Sequence, residues 1–209
     1  MRKVIWILMA MAAVCATTVS MASDDDSVGP MSRAAARRIA VGTCANCHGP
    51  GGLSIVSKFP NLAAQPADYL AAQLQAFKSQ TRGDPDALAF MWGIAGSLDD
   101  GQINALALYY SEKQPGARSA VDPSTRDRGR RIYEGALKAQ GVPSCVTCHG
   151  ARGEGVAAFP RLAGQQTPYF VSQMLAFKTK LRAFDVMQGV ASHLSQDDVE
   201  LLAEYVRSL

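Results

Sequence analysis

Two copies of the pattern Cys-x-x-Cys-His, 101 residues apart, are the part of this chain best suited to chemistry. Each copy supplies two thiols and one imidazole, namely Cys44, Cys47 and His48 in the first and Cys145, Cys148 and His149 in the second. In this pattern the thiols form thioethers with the vinyl groups of a porphyrin, and the adjacent histidine binds its iron. The sequence therefore predicts two covalently attached c-type haems.

Two other uses of paired cysteines fit the chain less well. A redox dithiol belongs in a thioredoxin-like βαβ unit, and the sequence has no such alternation of strand and helix patterns. A zinc site needs four ligands, so the two motifs would have to share one ion. The histidine that directly follows the second cysteine in both copies favours haem over either alternative.

The second axial ligand of each iron decides whether the site only transfers electrons or also binds other molecules. Met91 and Met187 are the best candidates, because each begins the pattern Met-x-x-(Ile/Val)-Ala-x-x-Leu and the two patterns superimpose with an offset of 96. We expect both on a loop before the last helix of their half, folded over the far face of the haem. The alternatives are two core methionines, or His193 in place of Met187.

The matched positions indicate a duplicated domain. Segments 59–82 and 159–182 are identical at 11 of 24 positions, which is too many for chance. Residues 115–124 are rich in Pro, Gly and small side chains that interrupt helical patterning, so we place a linker there, between domains 23–114 and 125–209. A domain this small has a limited core of its own, so a covalently held haem is expected to serve as its central apolar mass.

Helical periodicity dominates both halves without competing strand alternation, so the predicted fold class is all-α, with two tandem domains each wrapped around one haem. We expect a first helix from Ser32 to about Val41, and a counterpart beginning near Ser124 or Thr125. The middle helices carry apolar residues at matching helical spacing: Leu70, Leu74, Phe77, Phe170, Met174 and Phe177.

The last helix of each half begins at a pair resembling a capping box, Asp99 with Gln102 and Ser195 with Asp198. We expect six of their residues to face the core: Ala105, Leu106, Tyr109, Leu201, Leu202 and Tyr205.

Two further matched pairs are candidates for supporting the haems. Pro60 and Pro160 either place a backbone carbonyl against Nδ1–H of the nearby histidine or are plain turn prolines. Arg82 and Arg182 either pair with haem propionates or lie on the solvated surface.

The N-terminus has the pattern of a cleaved secretory signal. Two basic residues precede an apolar stretch, residues 4–16, and a small-x-small cleavage site ends at Ala22. We expect residues 1–22 to be removed; an earlier cut after Ala16 and an uncleaved anchor are the alternatives. Cleavage removes Cys15 and leaves four cysteines, all in the two motifs. Because c-type haem is attached outside the bacterial cytoplasm, we expect a periplasmic protein.

Charge argues against nucleic acid as a partner. The chain has 21 basic and 18 acidic residues, and removal of the signal leaves 19 basic residues against the same 18. Four haem propionates would make the haem-loaded protein net negative. The sequence also has no basic tract that would bind nucleic acid or anionic lipid.

At this level the chain resembles the cytochrome c4 family, dihaem cytochromes made of two class I cytochrome c domains. The resemblance covers the whole region after the signal. It rests on both Cys-x-x-Cys-His-Gly runs, the Phe-Pro-x-Leu-Ala-x-Gln segments, residues 141–144 and the two methionine patterns. It implies a soluble or loosely membrane-associated electron carrier that has no small-molecule substrate and passes electrons from redox proteins towards a terminal oxidase.

Two other functions remain open at this point. The haem subunit of flavocytochrome c sulfide dehydrogenase resembles the same two-domain pattern, so the chain would then serve a larger oxidoreductase. A dihaem peroxidase needs an exchangeable axial position, and two paired methionines argue against it. The chain departs from exact duplication between Arg82 and Met91, an interval four residues longer than that between Arg182 and Met187.

Overall fold

The computed structural model describes residues 31–209, so the predicted signal peptide lies outside the described residues. The first half contains helices α1 (Arg33–Ile39), α2 (Ala45–His48), α3 (Ala67–Lys78), α4 (Trp92–Gly96) and α5 (Asp100–Ser111). The second half contains α6 (Pro123–Glu134), α7 (Val146–His149), α8 (Thr167–Lys178), α9 (Asp185–Ser192) and α10 (Gln196–Arg207). Over residues 31–209 there are isolated β-bridges but no strand, and the all-α prediction is confirmed.

The first helix of each half begins at a side-chain cap. Ser32 caps α1, as predicted, but a π-helical turn over Ala40–Cys44 continues the helical path past Val41 into the first cysteine. Its counterpart α6 begins at Pro123, slightly earlier than predicted, because Asp122 provides the cap. An aspartate cap followed by proline at the first helical position is a favourable start for a helix.

The middle helices lie where the periodicity placed them. In α3 Leu70 and Phe77 are buried, and Leu74 packs half-buried against both clusters of the first half. The matching residues of α8, Phe170, Met174 and Phe177, are all buried. These helices pack against α5 and α10 respectively, so each half has its own core.

Both predicted capping boxes are present at the starts of α5 and α10. Leu106, Leu202 and Tyr205 are buried as predicted, whereas Ala105, Tyr109 and Leu201 are only half-buried. The buried face of α5 consists of Ile103, Leu106, Ala107 and Tyr110. It is therefore rotated by one residue from the predicted face, and Tyr110 takes the core position expected for Tyr109.

Helices α6 and α10 approach each other closely at a glycine. A Cβ atom on Gly129 would collide with the carbonyl group of Leu201 and with Cβ of Tyr205. This contact closes the second half around its core. No helix in residues 31–209 has the length and apolar character needed to cross a membrane.

Candidate haem sites

Each Cys-x-x-Cys-His motif forms a short helical segment that ends at its histidine. Helix α2 ends at His48 and α7 at His149, and a glycine with positive φ follows each of them. At Gly49 a Cβ atom would collide with the carbonyl group of Leu53, so the turn requires glycine. The helical geometry places the two thiols of each motif one turn apart, on the same face.

Both histidines are buried, with 7% of each residue exposed, and are held by prolyl carbonyls. Nδ1 of His48 donates to the carbonyl oxygen of Pro60 at 3.0 Å, and Nδ1 of His149 donates to that of Pro160 at 2.9 Å. Both predicted hydrogen bonds are therefore confirmed. Since Nδ1 carries the proton, Nε2 is the nitrogen that remains to bind iron.

Burial favours the neutral form of both imidazoles and the protonated form of two thiols, those of Cys44 and Cys145. It lowers the pKa of His48 and His149, and the hydrogen bonds to the prolyl carbonyls oppose this effect only in part. Burial also raises the pKa of Cys44 and raises that of Cys145 to about 11. A protonated, buried thiol is a poor redox nucleophile, so the dithiol alternative is unsupported. Among residues 31–209 no group of three or more His, Cys, Asp or Glu side chains is arranged to hold a metal ion.

The structure brings all eight predicted site residues to the wall of one continuous cavity of about 510 Å³. They are Cys44, Cys47, His48, Met91, Cys145, Cys148, His149 and Met187. Most of the remaining wall is apolar, with Leu70, Phe77, Leu98, Phe170, Phe177 and Leu194 among its residues. A cavity of this size and polarity suits an organic cofactor.

The methionines reach the cavity from helical segments, so their predicted placement on loops is wrong. Met91 ends a π-helical turn that begins at Ala87, and Met187 lies within α9. The reason is visible in the repeated pattern itself, since its residues recur at i, i+3, i+4 and i+7, which is helical spacing. Both methionines are half-buried at the cavity wall.

The third histidine lies on the surface. His193 follows the end of α9 and is exposed, and its Nδ1 lies 2.8 Å from the carbonyl oxygen of Gly189. This position supports a surface role and gives no support to His193 as a replacement for Met187.

Arg82 and Arg182 are buried between the two halves, so the alternative that places them on the solvated surface is wrong. Each guanidinium donates to the side-chain oxygens of both Gln73 and Gln173, at distances of 2.7 to 2.9 Å. Each also donates to a tyrosine hydroxyl of the other half, Tyr169 for Arg82 and Tyr69 for Arg182. Because both arginines also line the cavity, their pairing with haem propionates stays a prediction.

A single buried carboxylate completes this network. Asp84 accepts from Nε of Arg82 at 2.9 Å and from Nε2 of Gln173 at 3.2 Å. Burial opposes ionisation of Asp84, but the charge of Arg82 and these hydrogen bonds together hold its pKa below its usual range. Asp84 was not predicted, because it has no counterpart in the second repeat that would single it out. Gln73 and Gln173 occupy matching positions among apolar helix residues, and such a repeated polar residue is the sequence signal that could have indicated this buried contact.

The cavity wall fits two covalently attached haems. It offers two pairs of thiols, two imidazoles with Nδ1 already engaged, and a largely apolar surface. Tyr110 also lines the cavity, and its hydroxyl group is buried without a hydrogen-bond partner among residues 31–209.

Comparisons with known proteins agree with this geometry. The family model described as cytochrome c matches the chain twice, over residues 34–111 and 127–209. Cytochrome c4 from Stutzerimonas stutzeri is 36% identical over 81% of this chain and 85% of its own length. The thiosulfate dehydrogenase electron acceptor of Stutzerimonas stutzeri strain A1501 is 32% identical over 98% of this chain and 95% of its own.

A solved structure gives the same result for the fold. The crystal structure of reduced recombinant cytochrome c4 from Pseudomonas stutzeri superimposes with a TM-score of 0.76 and 33% identity, covering 87% of this chain and all of that one (100%). Two matched cytochrome c units, each with its own attachment motif, bind one covalent haem c apiece. The chain belongs to the cytochrome c4 family of dihaem c-type cytochromes.

Proposed function

We propose that this protein is a periplasmic electron carrier in which His48 and Met91 are the axial ligands of the first haem, and His149 and Met187 those of the second. The observation that carries the proposal is that all four side chains, together with the four cysteines, line one cavity. Each histidine presents Nε2 for iron because its Nδ1 is held by a prolyl carbonyl.

The protein's part in this function is to keep both sites closed and dry. Bound haem supplies one-electron chemistry between Fe(III) and Fe(II), and thioether ligation raises its potential. With haem bound, Met91 and Met187 would hold the position on iron that an exogenous ligand needs. The apolar wall excludes water, and the prolyl carbonyls keep each imidazole in one orientation. A site arranged in this way exchanges electrons and leaves no place for a substrate, so we propose a carrier and not an enzyme.

Apolar side chains at the cavity offer docking surface for redox partners. Several residues of the wall are also exposed to solvent: Phe90, Phe159, Phe184 and Val186. Electron-transfer proteins meet through small, transient interfaces, and these exposed apolar side chains provide enough surface for such a contact. We propose redox proteins as donor and acceptor, with a terminal oxidase as one acceptor.

The export signal supports the proposed location. We propose that residues 1–22 are removed on export, which leaves two domains joined by the linker predicted at 115–124, except that residues 123 and 124 belong to α6 and therefore to the second domain. In the structure, the segment between α5 and α6 is non-helical over residues 112–122, which supports a linker in this region.

A second candidate is an electron-accepting subunit of a larger oxidoreductase. The relative named as the electron acceptor of thiosulfate dehydrogenase favours it, because its match extends over nearly the whole chain. In that case the reaction on substrate takes place on another subunit, and this chain has a stable partner.

Purification of the native protein without denaturant separates the two candidates. We expect two haems on a lone chain with no flavin, and no binding of carbon monoxide by the reduced protein. A co-purifying catalytic subunit would favour the second candidate. Carbon monoxide binding at either haem would contradict the closed methionine-ligated site.

A further inference from the structure

Each histidine is linked to the opposite half of the molecule through a single peptide unit. The carbonyl group of Pro160 accepts from His149, and the N–H group of the same peptide unit belongs to Arg161. That N–H donates to Oε1 of Gln65 at 2.9 Å. Gln65 also donates from Nε2 to the carbonyl oxygen of Arg161 at 2.7 Å. Gln65, in the first half, therefore forms two hydrogen bonds with Arg161, the residue that follows Pro160 in the second half.

The reciprocal arrangement holds the first histidine. The carbonyl group of Pro60 accepts from His48, and the N–H group of that peptide unit, on Asn61, donates to Oε1 of Gln165 at 2.8 Å. Nε2 of Gln165 donates to the carbonyl oxygen of Asn61 at 3.1 Å. The two chains of hydrogen bonds therefore cross between the halves in opposite directions.

These glutamines are buried, with 5% of Gln65 and 6% of Gln165 exposed, so water does not compete strongly for their amides. A hydrogen bond accepted from the N–H of a peptide unit polarises that unit and makes its carbonyl oxygen a stronger acceptor. A stronger acceptor at Nδ1 makes the imidazole a more electron-rich iron ligand, which favours Fe(III).

We propose that Gln65 and Gln165 are positioning residues, each of which tunes the haem of the opposite domain through the prolyl carbonyl that holds its histidine. This inference rests on the proposed ligation of iron by His48 and His149. It makes the domain interface part of each haem's electronic environment.

The backbone next to Pro60 is held more firmly than the backbone next to Pro160, so the two glutamines should differ in their effect. Asn61 has additional anchors, since its side chain donates to the carbonyl oxygen of Gly164 at 2.9 Å and accepts from the N–H of Ser54 at 2.9 Å. Arg161 occupies the equivalent position, and its Nε is buried without a hydrogen-bond partner in the described part of the chain. Loss of Gln65 should therefore disturb His149 more than loss of Gln165 disturbs His48.

The test uses the haem-loaded protein carrying Gln65→Met or Gln165→Met. Gln166→Met is the matched control, because Gln166 also donates across the interface, to the carbonyl oxygen of Ser54 at 2.8 Å, but does not contact either prolyl peptide. The chain has three histidines, so labelling with ¹⁵N-histidine gives a spectrum simple enough to follow each Nδ1–H. The readouts are hydrogen exchange at Nδ1 and the reduction potential of each haem.

We expect Gln65→Met to raise the potential of the second haem and accelerate exchange at His149, with His48 unchanged. Gln165→Met should do the same to the first haem and His48, by a smaller amount, and the control should alter neither. Gln65→Glu keeps an acceptor for the N–H of Arg161, so it should retain slow exchange at His149.

Equal changes at both haems, changes confined to the variant's own domain, or no change would overturn the proposal. So would fast exchange in Gln65→Glu, since that result would indicate lost packing and not a lost acceptor. Failure of the underlying ligation gives a different result: in the oxidised, unmodified protein, the ring ¹⁵N signals of His48 or His149 would then lack the large hyperfine shift that a direct bond to Fe(III) produces.

Discussion

The two halves differ in the helices that supply their buried tyrosines. In the first half the buried tyrosine is Tyr110, on α5, and it shares a cluster with Ala40 of the π-helical turn after α1. In the second half two tyrosines are buried, Tyr133 on α6 and Tyr205 on α10, and both share a cluster with Val206 of α10. The duplicated domain has thus kept aromatic residues in its core while changing the helices that supply them, as repacking of a core allows.

The charges at the shared interface show a second difference. Arg82 and Arg182 stack alike over Phe77 and Phe177, each 4.6 Å from the ring centroid. Only the first half adds a carboxylate, Asp84, whereas the position 100 residues later is Phe184, with 49% of its surface exposed. Each half therefore contributes one buried arginine to the interface, whereas only the first half contributes the carboxylate of Asp84.

The largest expected effect tests whether the two haem sites are equivalent and whether each responds only to the methionine of its own domain. Met91→Ala and Met187→Ala should each lower the potential of the haem in the same domain, because a thioether ligand is lost. We expect a fall on the order of 0.1–0.3 V, part of the roughly 0.8 V that axial ligands span. Spectroelectrochemical titration measures it, with Met174→Leu as the control, since Met174 is a buried core residue of α8. An unchanged titration would remove that methionine from its role.

Asp84→Asn should remove the asymmetry in charge and destabilise the protein. Loss of one partner from a buried ion pair costs about 3–5 kcal/mol, because the remaining cation is left uncompensated. Asp86→Asn is the matched control, since the pair between Lys58 and Asp86 is about half exposed and contributes at most about 1 kcal/mol. Denaturant unfolding of the haem-loaded variants measures both. Similar losses for the two variants would show that the buried network does not stabilise the interface.

The same carboxylate should make the stability of the protein depend on pH in the acid range. Its pKa is lower in the folded state, so its stabilisation is complete above the ordinary carboxyl range of about 4 and disappears as the pH falls through the folded-state pKa. The difference in unfolding free energy between the wild type and Asp84→Asn should therefore shrink below about pH 4. Unfolding curves from neutral pH downwards measure it; a constant difference would contradict the linkage.

A smaller effect is expected where the second half closes on itself. Gly129→Ala should destabilise the protein by about 1–3 kcal/mol, because the added methyl group forces α6 away from the backbone of α10. Gly93→Ala, in α4 of the first half, is the control: no atom lies within 4 Å of its added carbon, and alanine favours the helix by about 0.5–1 kcal/mol. Thermal unfolding compares them, and a neutral Gly129→Ala would show that the helices separate without cost.

The smallest effect concerns a contact that the first half has alone. Lys58 pairs with Asp86, and its Nζ lies 4.9 Å from the ring centroid of Phe90. In the second half, Ala158 stands at the position of Lys58 and Val186 at that of Phe90. Lys58→Ala should cost at most about 1 kcal/mol of stability, since the pair is exposed. High salt should reduce the cost further, and a cost that persists in high salt would contradict an electrostatic origin.

Local features were predictable from the sequence because nearby residues determine them. The spacing of the attachment motifs, the cap at Ser32 and the capping boxes at Asp99 and Ser195 all correspond to contacts within four residues along the chain. Duplication then predicted that each feature occurs twice, and both occurrences are present.

The features that escaped prediction depend on contacts between distant parts of the chain. Arg82 is buried only because Tyr169 and Gln173, some ninety residues away, cover it. Tyr109 and Tyr110 are adjacent and of the same type, and helical periodicity locates a buried face only to within about one residue. The pattern alone therefore could not tell which of the two lies in the core. The hydrogen bond from Gln65 to the carbonyl oxygen of Arg161 likewise forms only when the two halves pack against each other.

Near-infrared magnetic circular dichroism of the oxidised, haem-loaded protein tests the central claim most directly, because the charge-transfer bands of ferric haem identify the axial ligand pair. We expect both haems to be low-spin and ligated by histidine and methionine, with one such signal for each attachment motif. A signal from a bis-histidine haem, or from a high-spin haem with water in the sixth position, would contradict two closed sites and the carrier function built on them.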